Sequence, residues 1–290
     1  MKIALFSHCA IDTISIGDSK YEQIGGAACY GGITARRFKF DVSLVTKFGS
    51  DFPYQQYLTD NKLNFENALS EKPTTRFSIK IEGSDRNLKL ENQCAPIDYN
   101  KINADGFLVS PIFHEISSDV LSKIKKDCSF LFLDPQGFLR RSDSQKNILL
   151  EETDIDLSQV NAIKVNPEEA LCLTGLSTEE SLKLLQKRGV EHAILTNKTE
   201  VSMLVKDQMY SISLPNKKIY DTTGVGDIFC AAFSCTMLKE KDSLWALCFA
   251  GGAAQAALES KDVGLLKIPK KGVVENNASY FYNLMKFRAV

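Results

Sequence analysis

Asp221-Thr222-Thr223-Gly224-Val225-Gly226-Asp227, followed by the small apolar run Ile228-Phe229-Cys230-Ala231-Ala232-Phe233, is the stretch on which the reading of this chain turns. Two glycines spaced by one residue stand directly before a helical pattern. Backbone N–H groups can converge there on an anion at the positive N-terminus of a helix. Asp227 occupies the place where that anion would arrive. A carboxylate is not needed to bind an anion and would repel it, so its acceptor oxygens point to a chemical role rather than a binding one.

The 290 residues are enough for one large core or two modest ones. Lys plus Arg (35) and Asp plus Glu (36) nearly cancel. No global field attracts nucleic acid or an anionic membrane, so a small-molecule partner is expected. The cysteines Cys9, Cys29, Cys94, Cys128, Cys172, Cys230, Cys235 and Cys248 are scattered, with no C-x-x-C pair and no His spaced to complete a zinc site. They read as buried reduced thiols. Met1 to Cys9 is too short for a signal peptide and no run approaches the ~20 apolar residues of a membrane span, so a cytoplasmic protein is expected.

Around the motif the chain reads as an α/β protein. Lys2–Ser7, Val42–Thr46, Phe107–Ser110, Phe130–Asp134, Ala162–Val165 and Ala193–Thr196 are short and apolar throughout. Helical stretches separate them: from Gly25-Gly26 to about Phe38, Pro53 to about Asn61, Glu115–Lys126, Pro167–Leu173, Glu179–Arg188, the run after Asp227, and about Ser243–Leu258. That alternation predicts a mainly parallel sheet between two helical layers, with a hairpin over Val201–Ser213. Thr13–Ile24 has the pattern of a hairpin, and Asn64–Ser70, Thr75–Ile81 and Arg86–Glu91 that of three short strands. Together they predict a small sheet apart from the main body, within one domain spanning 1–290. A one-sided sheet exposes apolar surface, which makes pairing of these sheets in a homodimer an expectation.

Two common nucleotide sites are absent. The first strand is followed by Ser7-His8-Cys9-Ala10-Ile11-Asp12, with no G-x-G-x-x-G, and no Walker G-x-x-x-x-G-K-[ST] occurs. The D-T-x-G-x-G-D pattern is specific: five fixed positions should arise by chance in about one chain of this length in several thousand. It resembles the second signature of the ribokinase, or PfkB carbohydrate kinase, family. The resemblance extends to Asp12, to Gly25-Gly26 opening a helix, to the inserted small sheet, and to Asn166-Pro167-Glu168-Glu169, which matches the family's N-x-x-E.

The resemblance implies a ribokinase-like three-layer α/β/α fold whose small sheet, from about 13–24 and 64–93, is a lid. It implies an ATP- and Mg2+-dependent kinase acting on a hydroxyl of a sugar, cyclic polyol or nucleoside. Asp227 would take the hydroxyl proton, and the amides of Gly224, Val225 and Gly226 would form the anion hole for the phosphoryl group. Asp227 needs only an ordinary pKa for that role. Asp12, Gly25, Gly26 and Tyr30 would meet the substrate, as could Gln136 and Arg140, while Thr222, Gly224, Asn166, Thr196 and Lys198 would meet the nucleotide. Asn166 and Glu169 would organise Mg2+ through water. A monovalent cation such as K+ is a further option.

Each reading has a plainer counterpart. Asn166 to Glu169 is also a well-made helix start, Asp12 an Asx-turn, Tyr30 a core tyrosine, Gly25-Gly26 a packing contact, and Asp134-Pro135-Gln136-Gly137 a surface turn. His114 reads as a helix-start residue rather than a base. Tyr30 stands where ribokinase-type members carry Asn, which tilts the substrate from ribose toward an inositol or nucleoside. Asn197-Lys198-Thr199 replaces the family's T-x-G nucleotide loop. A catalytically silent binding protein and an ADP-dependent kinase on the same scaffold remain alternatives.

Overall fold

Strand Lys2–Phe6 shows how the sheet is built. Ile3 and Leu5 enter one hydrophobic cluster, Ala4 and Phe6 another, because successive strand residues face opposite ways and both faces are covered. The structure, a computed structural model, describes residues 1–82, 85–215, 219 and 221–290. Among these, a ten-stranded sheet runs in the order Lys286–Ala289, Gln208–Ser213, Glu200–Val205, His192–Asn197, Ala162–Val165, Leu131–Leu133, Gly106–Val109, Lys2–Phe6, Asp41–Val45, Leu63–Asn64. From His192–Asn197 to Leu63–Asn64 every pairing is parallel. The outer strands at the other edge pair antiparallel and include the expected 201–213 hairpin.

Helices Ala27–Arg37, Val225–Glu240, Ser243–Glu259 and Lys271–Leu284 cover one face. Ser118–Asp127, Pro167–Thr174 and Glu180–Lys187 cover the other. This is the three-layer α/β/α arrangement that the alternation predicts. Because the central strands are parallel, their ends at Phe6, Val109, Leu133 and Val165 share one edge, where open sheets of this kind bind ligands.

A separate four-stranded sheet has the order Ser19–Gly25, Ala10–Ile16, Thr75–Glu82, Asp85–Asn92. The expected hairpin and two of the three expected strands are therefore present; Gly83 and Ser84, expected to separate the latter, lie outside the described residues. The third, Asn64–Ser70, is not in this sheet. Leu63–Asn64 pairs with Asp41–Val45 and Leu69–Ser70 with Phe48–Gly49. Buried Leu63 and the ring of Phe65, 5.8 Å from that of Phe48, draw the segment into the main body. The small sheet's Ala10, Ile14, Phe77 and Ile79 are buried against Ala27, Ile112 and Phe113 of the same chain. Part of the small sheet's apolar surface is thus covered from within the chain, while Ile16 remains 45% exposed.

Helix boundaries shift for local reasons. The helix expected from Glu115 starts at Ser118, because Ser117 caps it by accepting from the Val120 amide. Glu115 is instead wholly buried and accepts from the amides of His8, Ile112 and Phe113. Pro53 precedes, rather than begins, helix Gln55–Asp60. The eight cysteines are free; Cys128 and Cys172 are only partly buried.

Glycine sets one helix contact. A Cβ on Gly252 would lie 2.8 Å from the Val274 carbonyl oxygen and 3.0 Å from the Ala278 nitrogen, both backbone atoms that cannot swing aside. Gly272, on the facing helix, has open space. Urea denaturation is expected to show Gly252→Ala destabilised by about 1–3 kcal/mol and Gly272→Ala stabilised by up to about 1 kcal/mol.

Candidate active site

Asp221 shapes the motif from its first residue. Its Oδ1 accepts from the Thr223 amide at 2.8 Å, closing an Asx-type turn. Gly224 then takes φ 72°, ψ 2°, a left-handed conformation that glycine adopts without strain, and serves as N-cap of the 16-residue helix Val225–Glu240. Gly224 is also required sterically: a Cβ there would lie 2.4 Å from the Tyr30 ring. The first amides of such a helix have no intrahelical acceptor and carry its positive dipole end. Gly224 and Gly226 line a cavity of about 170 Å3. Val225 N–H makes a long 3.4 Å bond to Thr222 O, so it is partly engaged already.

The same cavity gathers much of the expected set: Asp12, Gly26, Tyr30, Thr222 and Asp227, with Gln136 and Arg140 on the facing wall. Asp12 is buried at the root of the small sheet. A Cβ on Gly25 would sit 2.4 Å from the Asp12 carboxylate, so glycine there makes room for Asp12. Gly26 has φ 87° and backs onto the His8 carbonyl oxygen. Tyr30 is 1% exposed, and its hydroxyl accepts a 3.4 Å bond from Gln23 Nε2. It is therefore both core tyrosine and cavity wall.

The Asp134–Arg140 segment is not a surface turn. Asp134 is fully buried, and Gln136–Leu139 is a short helix against the loop after Gly106–Val109. A Cβ on Gly137 would fall 2.4 Å from backbone atoms of Pro111. Arg140 donates to Ile112 O at 2.8 Å and to Gln136 Oε1 at 2.9 Å, with its guanidinium 5.8 Å from the centre of the Phe77 ring. His114 Nε2 bonds Arg140 O, which fits a structural role.

Lys164 and Asp134 complete the cavity wall, and neither was singled out from the sequence. Lys164 is the one charged residue of the otherwise apolar strand Ala162–Val165, and a Lys in such a strand is the signal that could have revealed it. Its Nζ donates to Asp134 Oδ2 at 3.0 Å and lies 3.4 Å from where a Cβ on Gly226 would be. Burial disfavours the Lys164 charge, but Asp134, Glu169 and Cys230 outweigh it and hold the ammonium above its ordinary range.

Asp227 keeps some surface open to the cavity yet lies deep among these charges. Burial raises its pKa to about 7, with Asp134 and Asp12 adding to the rise and Lys164 and Arg140 opposing it. That lies well above the ordinary value that the acceptor role alone requires. Asn166 and Glu169 form a reciprocal capping box at helix Pro167–Thr174, with bonds of 2.9 Å each way. They lie in a groove that shares Arg140 with the cavity. Glu169 is buried and its pKa is raised by that burial, Lys164 working against the rise. Thr196 donates to Val165 O and Lys198 sits in the turn after it with φ 42°; neither lines the cavity or the groove.

Among the described residues no group of three or more His, Cys, Asp or Glu is arranged to hold a metal ion, and no helix is long and apolar enough to cross a membrane. Mg2+ keeps several waters and is bound through one or two carboxylates plus substrate phosphates, so buried Glu169 fits such an ion without a protein cage.

The fold and the matched segment resemble those of ribokinase-like kinases, phosphotransferases with an alcohol group as acceptor. Residues 136–271 match the pfkB family carbohydrate kinases. The resemblance to the ribokinase, or PfkB, family is borne out. A cytidine kinase of Thermococcus kodakarensis is 24% identical over 251 residues, covering 80% of this chain and 87% of that one. A structure from the conversion of a pyrophosphate-dependent myo-inositol-1 kinase into a myo-inositol-3 kinase superposes with a TM-score of 0.81 at 21% identity, over 97% of this chain and 99% of its own. Ribokinase of Arabidopsis thaliana, solved with ribose and ATP, superposes with a TM-score of 0.75 at 17% identity, over 96% and 98%.

Two outcomes are expected for Asp227. Asp227→Ala lowers turnover roughly 10²- to 10⁴-fold with little change in nucleotide affinity; steady-state kinetics and calorimetry check this, and activity within threefold of the unaltered protein removes Asp227 from the mechanism. The second concerns stability. A carboxyl whose folded-state pKa lies above its unfolded value of about 3.9 destabilises the fold increasingly as pH rises between the two. Asp227→Asn should therefore raise the melting temperature at pH 8 more than at pH 5, as measured by differential scanning calorimetry.

Proposed function

We propose that this protein is a kinase that moves the γ-phosphoryl group of ATP, with Mg2+, to a hydroxyl of a sugar, cyclic polyol or nucleoside. The observation that carries the reading is the placement of Asp227 at the third position of a long helix, just behind the Gly224 and Gly226 amides and in one cavity with Asp12. An acceptor hydroxyl oriented by Asp12 would give its proton to Asp227 as its oxygen bonds to phosphorus and the bond to the leaving diphosphate breaks. Charge developing on the transferred group would meet the helix amides and the Lys164 ammonium. Mg2+, near Glu169 and Asn166, would neutralise donor phosphate oxygens. Phe77, Ile79 and Leu88 of the small sheet roof the cavity, a lid that would exclude competing water.

Pyrophosphate is a second reading of the donor. Two observations favour it: Asn197-Lys198-Thr199 stands where the family has its T-x-G nucleotide loop, and a pyrophosphate-dependent kinase is among the similar structures. A silent binding protein is disfavoured because Asp227, the glycine pair and the Asn166/Glu169 box are all in place.

The test is a matrix of donors (ATP, ADP, pyrophosphate) against acceptors (pentoses, hexoses, inositols, nucleosides) with Mg2+, read by phosphorus NMR. Turnover with ATP and at least one acceptor is expected. Turnover with pyrophosphate alone overturns the donor assignment, and acceptor binding without turnover for any donor supports the silent reading. Lys164→Met should lower turnover roughly 10²- to 10³-fold with acceptor affinity little changed. An effect below threefold in a folded variant removes Lys164 from the anion site.

A further inference from the structure

The opening residue of the motif carries a charge that the phosphoryl-transfer reading leaves unused. Asp221 turns one oxygen to Thr223, as described, and the other away from the cavity. Oδ2 accepts from Lys267 Nζ at 2.8 Å, and the Asp221 main-chain oxygen accepts from the same ammonium at 3.0 Å. The Gly264 amide also reaches Oδ2, at 3.3 Å. Lys267 ends a single 3-10 turn, Gly264–Lys267, between the last two long helices. Its side chain is 0% exposed and that of Asp221 only 9%. The ammonium also lies 5.9 Å from the centre of the Tyr30 ring, the ring that packs against Gly224. One buried cation therefore supports the loop at both ends, through Asp221 at its start and through Tyr30 at the residue that caps the helix.

A carboxylate oxygen and a carbonyl oxygen at the base of an anion-binding loop are hard donors of the kind an alkali cation takes. In this chain an ammonium already holds both, so these oxygens do not fit a diffusible ion such as K+. We infer that Lys267 is a resident monovalent cation of the anion-hole loop, which makes the protein independent of added K+. Lys267 is a positioning residue: it acts through Asp221 and Tyr30 and does not line the cavity. Tethering removes the concentration dependence that a free ion would impose on the loop. Breaking the pair strands a buried carboxylate, whose ionised form is held below its usual pKa range against burial by Lys267 and by Thr223.

The inference rests on the kinase reading only for its turnover readout. The experiment compares the unaltered protein, Lys267→Ala and Lys267→Met in sodium, potassium, ammonium and tetramethylammonium chloride at equal ionic strength. It measures melting temperature, affinity for inorganic phosphate, and turnover. The unaltered protein should vary by less than about twofold among the salts. Lys267→Ala, which vacates space for an ion, should lose roughly 10- to 100-fold in turnover and weaken phosphate binding, and potassium or ammonium should restore part of both. Lys267→Met, whose stem still fills the space, should lose the same and not be restored; a merely structural lysine would show no such cation selectivity.

Activation of the unaltered protein by potassium over sodium overturns the inference, and so does a Lys267→Ala variant that binds phosphate and turns over normally. If Lys267→Ala folds only in potassium or ammonium, the inference stands. If it folds in no salt, the salt response of the unaltered protein decides. Should no donor and acceptor react, the kinase reading fails, yet melting temperature and phosphate binding still decide the role of Lys267.

Discussion

The structure depends on keeping several carboxylates buried around one cavity at the edge of a parallel sheet. Asp227, Asp134 and Asp12 line it from three different segments, with Glu169 buried beside the adjoining groove, and water cannot screen them there as it would on the surface. Lys164, paired to Asp134 at 3.0 Å, is the counter-charge at the centre, and Arg140 approaches from the wall beneath the small sheet. Breaking such a pair leaves an uncompensated charge in the interior, which is far costlier than losing a surface ion pair. The balance also sets the proton affinity of Asp227, because carboxylates raise it and cations lower it.

Glycines permit this crowding. At Gly25 the missing side chain is replaced by the Asp12 carboxylate, and at Gly224 by the Tyr30 ring. Beside Gly226 lies the Lys164 ammonium. The motif thus brings charged and aromatic groups from other elements against the main chain at the start of a helix, where the first amides have no intrahelical acceptor. Ala231 to Phe233, all wholly buried, anchor that helix to the sheet, so its N-terminus is held by the core rather than by a surface loop.

Much of this was legible in the sequence where periodicity is strong. Apolar strands such as Lys2–Phe6 and Gly106–Val109 and the 201–213 hairpin lie close to where their patterns put them. Asp12, Tyr30, Gln136, Arg140 and Asp227 converge as their order along the chain suggested. What was not legible depends on partners distant in sequence. Asn64–Ser70 has the alternation of a small-sheet strand, but Leu63 and Phe65 find burial in the main body instead. The Lys164–Asp134 and Lys267–Asp221 pairs join residues 30 and 46 positions apart. No local pattern announces them, although a lysine inside an apolar strand is itself a signal. Burial of Asp227 likewise follows from packing alone, so its raised pKa could not be read from residue type.

The central claim is that Asp227 is a carboxylate held near its protonation point inside the cavity. Direct titration tests it most plainly: carbon NMR of protein labelled at the aspartate carboxyl carbon, with the Asp227 signal assigned by its loss in Asp227→Asn. The account predicts a midpoint about 7. A midpoint near the ordinary aspartate value of about 4 would contradict it.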